Sequence, residues 1–80
     1  MQVTSLRSFA TLLRQYRHAR GLTQTELAGK AQISRRAIVD LERGASLPHD
    51  TTLTRLADAL HLSTQKRQHL KEAVHQARFV

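Results

Sequence analysis

The chain has 80 residues, a formal net charge of +7 and no cysteine. So short a chain is expected to form one small domain without a large internal pocket. The lack of cysteine excludes disulfides, thiolate zinc sites and cysteine nucleophiles, and the apolar runs are too short for a signal peptide or a membrane span.

The excess of basic residues indicates a polyanionic partner, although many soluble domains are simply basic. Residues 1–25 contain four arginines and no acidic residue, so the positive charge is concentrated in this part of the chain. The chain has only two phenylalanines and one tyrosine. Proteins that bind single strands or RNA stack bases on exposed aromatic rings, so this composition disfavours both classes.

Thr4 or Ser5 can begin a first helix, which runs to about Arg20 and is ended by Gly21 in a left-handed conformation. Its inward residues lie at helical spacing: Phe9, Leu13 and Tyr16.

The second helix is predicted to begin at Gln24 because Thr23 and Glu26 form a capping box, in which each side chain bonds the other residue's amide. Its inward residues are Leu27, Ala28 and Ala31.

Ser34 caps a third helix that extends to Arg43 and is closed by Gly44. Ile38 and Leu41 face inward, and the opposite face carries Arg35, Arg36, Val39 and Asp40.

The segment 45–49 contains the only proline and is predicted to be a loop. Asp50 or Thr51 caps a fourth helix over residues 52–60, and Ser63 or Thr64 caps a fifth that ends at about Ala77. The inward residues of these two helices are Leu53, Leu56, Ala57, Leu60, Leu70, Ala73, Val74 and Ala77. No segment alternates with a period of two, so the predicted fold is all-α with five helices and no sheet.

Several motifs resemble the helix-turn-helix domain of phage Cro and repressor proteins, the xenobiotic-response-element family. They are RxxxGLTQxELA from Arg17 to Ala28, IS at 33–34, LERG at 41–44 and LADAL at 56–60. The resemblance implies a five-helix, lambda-repressor-like domain over residues 1–80, with its core at about 9–62 and the fifth helix at about 64–77. Gln32 stands where the family usually has glycine. A positive φ there costs about 1 kcal/mol, so we expect either that strain or a turn of slightly different shape.

In this family the third helix enters the major groove of double-stranded DNA. Arg35 and Arg36 can each donate two hydrogen bonds to guanine O6 and N7, which discriminates between bases by about 1–3 kcal/mol. The alternative is that they are solvated or contact phosphates. Val39 can meet a thymine methyl group. Asp40 can accept from cytosine N4 or hold Arg36, four residues earlier, and the sequence favours neither role.

Contacts to the DNA backbone are expected first at the beginning of the second helix, where free amides and the helix dipole favour phosphate. Gln24 is the contact that the resemblance implies, whereas capping alone explains Thr23. Further backbone candidates, for most of which an ordinary solvated position explains the residue equally well, are Lys30, Ser34, Arg43, His49, Thr51 and Thr52. Arg17 and Glu42 are expected to form a structural ion pair between the first and third helices. A phosphate contact by Arg17 is the alternative.

A metal site and catalysis are not expected. The five histidines (His18, His49, His61, His69 and His75) include no i, i+4 pair, and Glu72 with His75 supplies half of a helical metal site. Serines and threonines fall at helix caps, and the chain has no glycine-rich phosphate loop or carboxylate cluster. We therefore predict no cofactor and no enzyme activity.

The predicted function is sequence-specific binding of double-stranded DNA by a transcriptional regulator in the cytoplasm, associated with the nucleoid. The alternatives are a protein-interaction module of the same fold and a DNA-binding regulator of the antitoxin type. The RGLTQ and LADAL segments are also similar to the beginnings of actinobacterial-style multidomain regulators, which favours an N-terminal module of a longer chain over a complete protein. We expect the module to be monomeric in solution and to pair on adjacent half-sites, without a membrane partner.

Overall fold

The computed structural model describes residues 5–79, which form five α-helices and no strand. The helices are α1 (Ser5–Ala19), α2 (Gln24–Ala31), α3 (Arg35–Glu42), α4 (Asp50–Ala59) and α5 (Thr64–Phe79). The predicted all-α fold class is therefore confirmed. Thr4, one of the two residues expected to begin the first helix, lies outside the described residues. None of the helices within 5–79 has the length and hydropathy that crossing a membrane requires.

One apolar core receives side chains from all five helices. Its fully buried large residues are Phe9, Leu13, Leu27, Ile38, Leu56, Leu60 and Leu70. Burying one such side chain stabilises the fold by about 1.5–3 kcal/mol, so these positions fix how the helices pack. The packing of α5 is most extensive against α1, and Leu70, Ala73 and Val74 of α5 complete the core.

Tyr16 of α1 is partly buried at the edge of this core. The ammonium group of Lys66, from α5, lies 5.6 Å from the centre of its ring, which is within range of a cation–π contact. Burial raises the pKa of the Tyr16 hydroxyl above its ordinary value.

Four of the helices end in the same hydrogen-bonded turn. After α1 the Gly21 amide donates to the His18 carbonyl at 2.9 Å, and the Leu22 amide donates to the Arg17 carbonyl at 3.2 Å. Equivalent bonds follow α2, α3 and α4, and the residues with positive φ in the four turns are Gly21, Gln32, Gly44 and His61. This is the Schellman arrangement, which satisfies the last carbonyls of each helix.

Gln32 adopts the left-handed conformation itself, with φ 58° and ψ 44°. The turn between α2 and α3 thus keeps the backbone conformation that glycine favours, and the side chain brings the strain that the sequence led us to expect. His61 has φ 53° in the equivalent turn after α4. This second left-handed residue is not predicted from the sequence, because histidine, unlike glycine, is not a typical signal for such a turn.

The fourth helix begins earlier than expected. Asp50 is its first residue and His49, with an extended backbone, is its N-cap, so the expectation that Asp50 or Thr51 caps a helix starting at residue 52 is wrong. The Leu53 amide donates to the His49 carbonyl at 2.9 Å, which closes the first turn. Asp50 instead lies in the first turn, where the helix dipole favours an acidic side chain.

The fifth helix extends beyond the expected end at Ala77 to Phe79. Of the two expected caps, Ser63 provides the bond, since its hydroxyl accepts from the Lys66 amide at 3.2 Å.

A guanidinium group binds a backbone carbonyl in every connection between consecutive helices. The four bonds, in chain order of the connections, are Arg17 to Leu22 at 2.9 Å, Arg55 to Gln32 at 3.3 Å, Arg78 to Pro48 at 2.7 Å and Arg67 to Leu62 at 3.0 Å. Arginine suits this role because it stays charged and offers several donors. These four arginines therefore stabilise the connections between the helices.

Candidate nucleic-acid interface

The helix pair α2–α3 is built by two local caps. The Thr23 hydroxyl accepts from the Glu26 amide at 3.0 Å, and the Glu26 carboxylate accepts from the Thr23 amide at 2.8 Å. The Ser34 hydroxyl accepts from the Ala37 amide at 3.0 Å. Each cap satisfies amides that a helix would otherwise leave unbonded. Because Ile38 and Leu41 are buried, the opposite side of α3 faces solvent.

The exposed side of α3 brings together the four residues proposed from the sequence as base contacts. Arg35 and Arg36 are exposed, and Val39 and Asp40 are half-buried one turn further along. With Arg43 they line one shallow depression of the surface. The Arg35 guanidinium makes no hydrogen bond or ion pair with any residue between 5 and 79, so its donors are available to a ligand.

Asp40 lies between two of these arginines. Its Oδ2 atom is 3.4 Å from Arg36 Nε, and its Oδ1 atom accepts a hydrogen bond from Arg43 Nε at 3.2 Å. Of the two roles that the sequence left open for Asp40, this geometry favours holding Arg36.

The beginning of α2 offers donors to an anion. Within the described residues the amides of Gln24 and Thr25 have no partner, whereas the capping box uses those of Thr23 and Glu26. The Gln24 side chain donates from Nε2 to Glu42 Oε1 at 3.1 Å, which leaves its second amide hydrogen and its oxygen unbonded. Gln24 thereby connects the N-terminus of α2 to the end of α3.

Glu42 connects α1 to the same pair of helices. Arg17 approaches it in a bidentate ion pair, with Nε 2.6 Å from Oε2 and Nη2 2.9 Å from Oε1, and both side chains are buried. The Glu42 backbone carbonyl accepts from Arg14 Nη1 at 2.7 Å. The contact with Arg14 was not anticipated from the sequence, since an arginine on the exposed side of α1 carries no signal for a partner 28 residues away.

The remaining candidates for backbone contacts fall into two groups. Lys30 and Arg43 are exposed cations, and the Ser34 hydroxyl keeps a free hydrogen after accepting from Ala37. Near α4, the His49 side chain makes no cap bond and Thr51 is exposed, but Asp50 places a carboxylate between them. That carboxylate repels phosphate, so the N-terminus of α4 is a weaker candidate than that of α2.

Clusters of three or more metal-ligating side chains do not occur in the part of the chain that the structure describes. A surface groove lies between α4 and α5, where the buried side chains of Leu53 and Val74 form the floor and Asp50, Lys71 and Glu72 belong to the rim.

Comparison with known proteins extends this description. The family model for a helix-turn-helix domain matches residues 8–70. An uncharacterised HTH-type transcriptional regulator of Methanothermobacter thermautotrophicus is 37% identical over 62 residues, which cover 78% of this chain and 83% of that protein.

Two solved structures have a similar fold. The restriction-modification controller protein C.Esp1396I, in a point-mutant form, superposes with a TM-score of 0.76 at 22% identity, covering 95% of this chain and 98% of that one. The clp gene regulator ClgR of C. glutamicum gives a TM-score of 0.72 at 23% identity, covering 98% of this chain and 94% of that one. At such low identity the two similarities concern the fold alone.

Proposed function

Because this chain belongs to the helix-turn-helix family of transcriptional regulators, we propose that it is of the Cro/repressor type and binds double-stranded DNA sequence-specifically with α3 in the major groove. One observation carries the proposal. The exposed first turn of α3 presents Arg35 and Arg36 side by side, and the donors of Arg35 are unused. Arginines in this position of a recognition helix reach the guanine edge. Val39, one turn further on, supplies an apolar contact for a thymine methyl group.

Phosphate contacts position the helix in this proposal. One phosphate binds at the N-terminus of α2. Its donors are the free backbone amides of Gln24 and Thr25 and the remaining side-chain amide hydrogen of Gln24. Further phosphate contacts come from the hydroxyl hydrogens of Thr23 and Ser34 and from the exposed cations Lys30 and Arg43. His49, Thr51 and Thr52 complete the set near α4, where Asp50 weakens their contribution.

The protein acts in the cytoplasm, where a bacterial or phage regulator meets its operator, and it functions without enzymatic chemistry. It pairs on DNA as a two-fold dimer or works as the DNA-binding module of a longer chain. Either arrangement extends the few base pairs that a single recognition helix covers. A regulator of the antitoxin type would use the same surface of α3.

A protein-docking module is the rival function, in which the basic surface meets an acidic partner. The arrangement of the exposed residues favours DNA, since the depression on α3 combines three guanidinium groups with a single valine as its apolar member. Protein interfaces have a more apolar centre than this.

A salt titration with two fluorescently labelled duplexes tests the proposal. One duplex has a randomised sequence and the other comes from selection of bound duplexes. The logarithm of affinity should fall linearly with the logarithm of salt concentration, by about 0.9 per phosphate contacted. The selected duplex should bind about 10³-fold more tightly than the random one at physiological salt. Equal affinities would contradict sequence-specific binding, and tighter binding of an acidic polypeptide than of either duplex would support the rival function.

A further inference from the structure

We propose that Asp40 determines the base specificity of α3 without contacting DNA, by holding the guanidinium groups of Arg36 and Arg43 in one orientation. This inference rests on the proposed function, and it assigns Asp40 a positioning role within it. In this arrangement Arg36 contacts a base and Arg43 faces the DNA backbone. The Asp40 carboxylate between them restricts the orientation of both guanidinium groups.

The contacts of Asp40 leave the reading ends of both arginines free. Arg43 donates a hydrogen bond from Nε to Oδ1 at 3.2 Å, and Arg36 forms an ion pair in which its Nε lies 3.4 Å from Oδ2. The terminal Nη atoms of the two side chains bind no other described residue. These two nitrogens form the fork that donates to guanine O6 and N7 or to a phosphate. Asp40 therefore blocks approach along the Nε edge and leaves the end of each guanidinium open.

The exposure of the three side chains agrees with this role. The side chains of Arg36 and Arg43 are 79% and 63% exposed, whereas that of Asp40 is 27% exposed. The carboxylate thus lies lower on the helix surface than the groups it holds. A ligand that approaches α3 meets the guanidinium ends before it meets the carboxylate.

The physical effect has two parts with opposite signs for DNA binding. A free arginine loses rotamer freedom when it binds a base, and a carboxylate that restricts it beforehand reduces that loss in the specific complex. The same carboxylate repels phosphates of any sequence and partly neutralises the two cations. Asp40 consequently weakens binding to random DNA while it favours the one sequence that the held arginines fit.

Arg35 provides an internal contrast. It has no carboxylate partner among the described residues, so its orientation is set only when DNA binds. Loss of Asp40 should therefore relax discrimination at the base pair read by Arg36 and leave the base pair read by Arg35 almost unchanged.

The test compares Asp40→Asn with Asp58→Asn, which removes the same charge at a distance from α3. Asp58 accepts from Arg67 Nη1 at 2.8 Å on the exposed surface of α4 and α5, so it is also an aspartate paired with an arginine. Duplexes are first selected with the unmodified 80-residue protein. Affinities are then measured for the selected duplex, its single base-pair variants and a random duplex. Circular dichroism checks that both variants keep their helical content.

In Asp40→Asn, affinity for the random duplex should rise about threefold, since one repulsive charge is lost. Discrimination at one base pair should fall about tenfold, which is within the range that a bidentate arginine supplies. Asp58→Asn should leave discrimination at every position within about twofold of the unmodified protein.

A double-mutant cycle separates positioning from direct contact. If Asp40 acts through Arg36, adding Asp40→Asn to Arg36→Ala should cause no further loss of discrimination. If the double variant loses more discrimination than Arg36→Ala alone, or if Asp40→Asn loses discrimination at a base pair other than the one read by Arg36, then Asp40 contacts cytosine directly. Either result would overturn the inference. Full discrimination in Asp40→Asn would overturn it as well. Failure of the proposed function has a different signature, because the unmodified protein would then show no preference among duplexes.

Discussion

Arg17 and Glu42 form a buried bidentate ion pair that joins α1 to the end of α3, and the Glu42 carboxylate also accepts from Gln24 of α2. Three helices that are separate in sequence are thereby held by one acidic side chain that is 3% exposed. Arg17 further donates from Nη1 to the Leu22 carbonyl at 2.9 Å, so each of its three guanidinium nitrogens donates to a protein group. A buried guanidinium that already donates to these groups is poorly placed to bind a DNA phosphate. The geometry therefore favours the structural role of Arg17 over a phosphate contact.

The first prediction is that Glu42→Ala destabilises the fold much more than Asp58→Ala. Removing Glu42 leaves the Arg17 charge buried and unpaired, which costs about 3–5 kcal/mol. Asp58 pairs with Arg67 on the surface, where such a pair contributes about 0–1 kcal/mol. Thermal unfolding followed by circular dichroism measures the difference, and equal melting temperatures would refute the structural importance of the pair.

The second prediction uses two glycines with open space around them. A methyl group added at Gly21 or at Gly29 would meet no atom within 4 Å, so only the backbone decides the outcome. Gly21 has φ 68°, hence Gly21→Ala should lower the free energy of unfolding by about 1 kcal/mol. Gly29 lies inside α2, where alanine is the better helix former, so Gly29→Ala should raise it by about 0.5–1 kcal/mol. Urea unfolding would contradict this account if both changes had the same sign.

Much of the fold follows from local signals in the sequence. The capping residues Thr23 and Ser34 fixed the beginnings of α2 and α3, and glycines 21 and 44 fixed two helix ends, because each acts within a few residues along the chain. The start of α4 was misplaced because several capping residues compete there, whereas the observed N-cap, His49, makes no side-chain cap bond.

The contacts that the sequence could not predict join residues far apart in the chain. Arg55 binds the Gln32 carbonyl and Arg78 binds the Pro48 carbonyl, over separations of 23 and 30 residues. Every residue has a backbone carbonyl, so the residue type does not indicate which carbonyl accepts a bond. The position of an exposed arginine likewise follows no periodic pattern that would predict its partner. For the candidate site, the sequence pattern predicts the exposed face of α3, but the sharing of Asp40 between Arg36 and Arg43 depends on side-chain rotamers, which have no sequence signal.

The third prediction separates base contacts from phosphate contacts. Arg35→Ala should remove about 1–3 kcal/mol of discrimination at one base pair. Lys30, on the exposed side of α2, serves as the matched change because it removes the same charge. Lys30→Ala should weaken binding to every duplex alike and reduce the salt slope by about 1. Affinities for a set of single base-pair variants at several salt concentrations give both quantities. Full sequence preference in both Arg35→Ala and Arg36→Ala would show that the recognition helix has been misassigned.

The fourth prediction concerns assembly. A stable dimer buries about 800 Å² on each partner, and its centre is usually apolar. Within residues 50–78 every exposed residue is polar or charged, and Leu53 and Val74, which form the floor of the groove between α4 and α5, are each 7% exposed. Little apolar surface is therefore left for self-association within residues 50–78, and we expect the 80-residue chain to sediment as a monomer at micromolar concentration. On a duplex with two half-sites spaced by one helical turn, about 34 Å, two copies should bind. Sedimentation velocity at several concentrations, with and without that duplex, distinguishes the monomer from the dimer.

A dimer that persists without DNA would contradict the prediction and would indicate an interface on α4 and α5. A double substitution on the groove rim, Lys71→Glu with Glu72→Lys, should then alter the dissociation constant of that dimer.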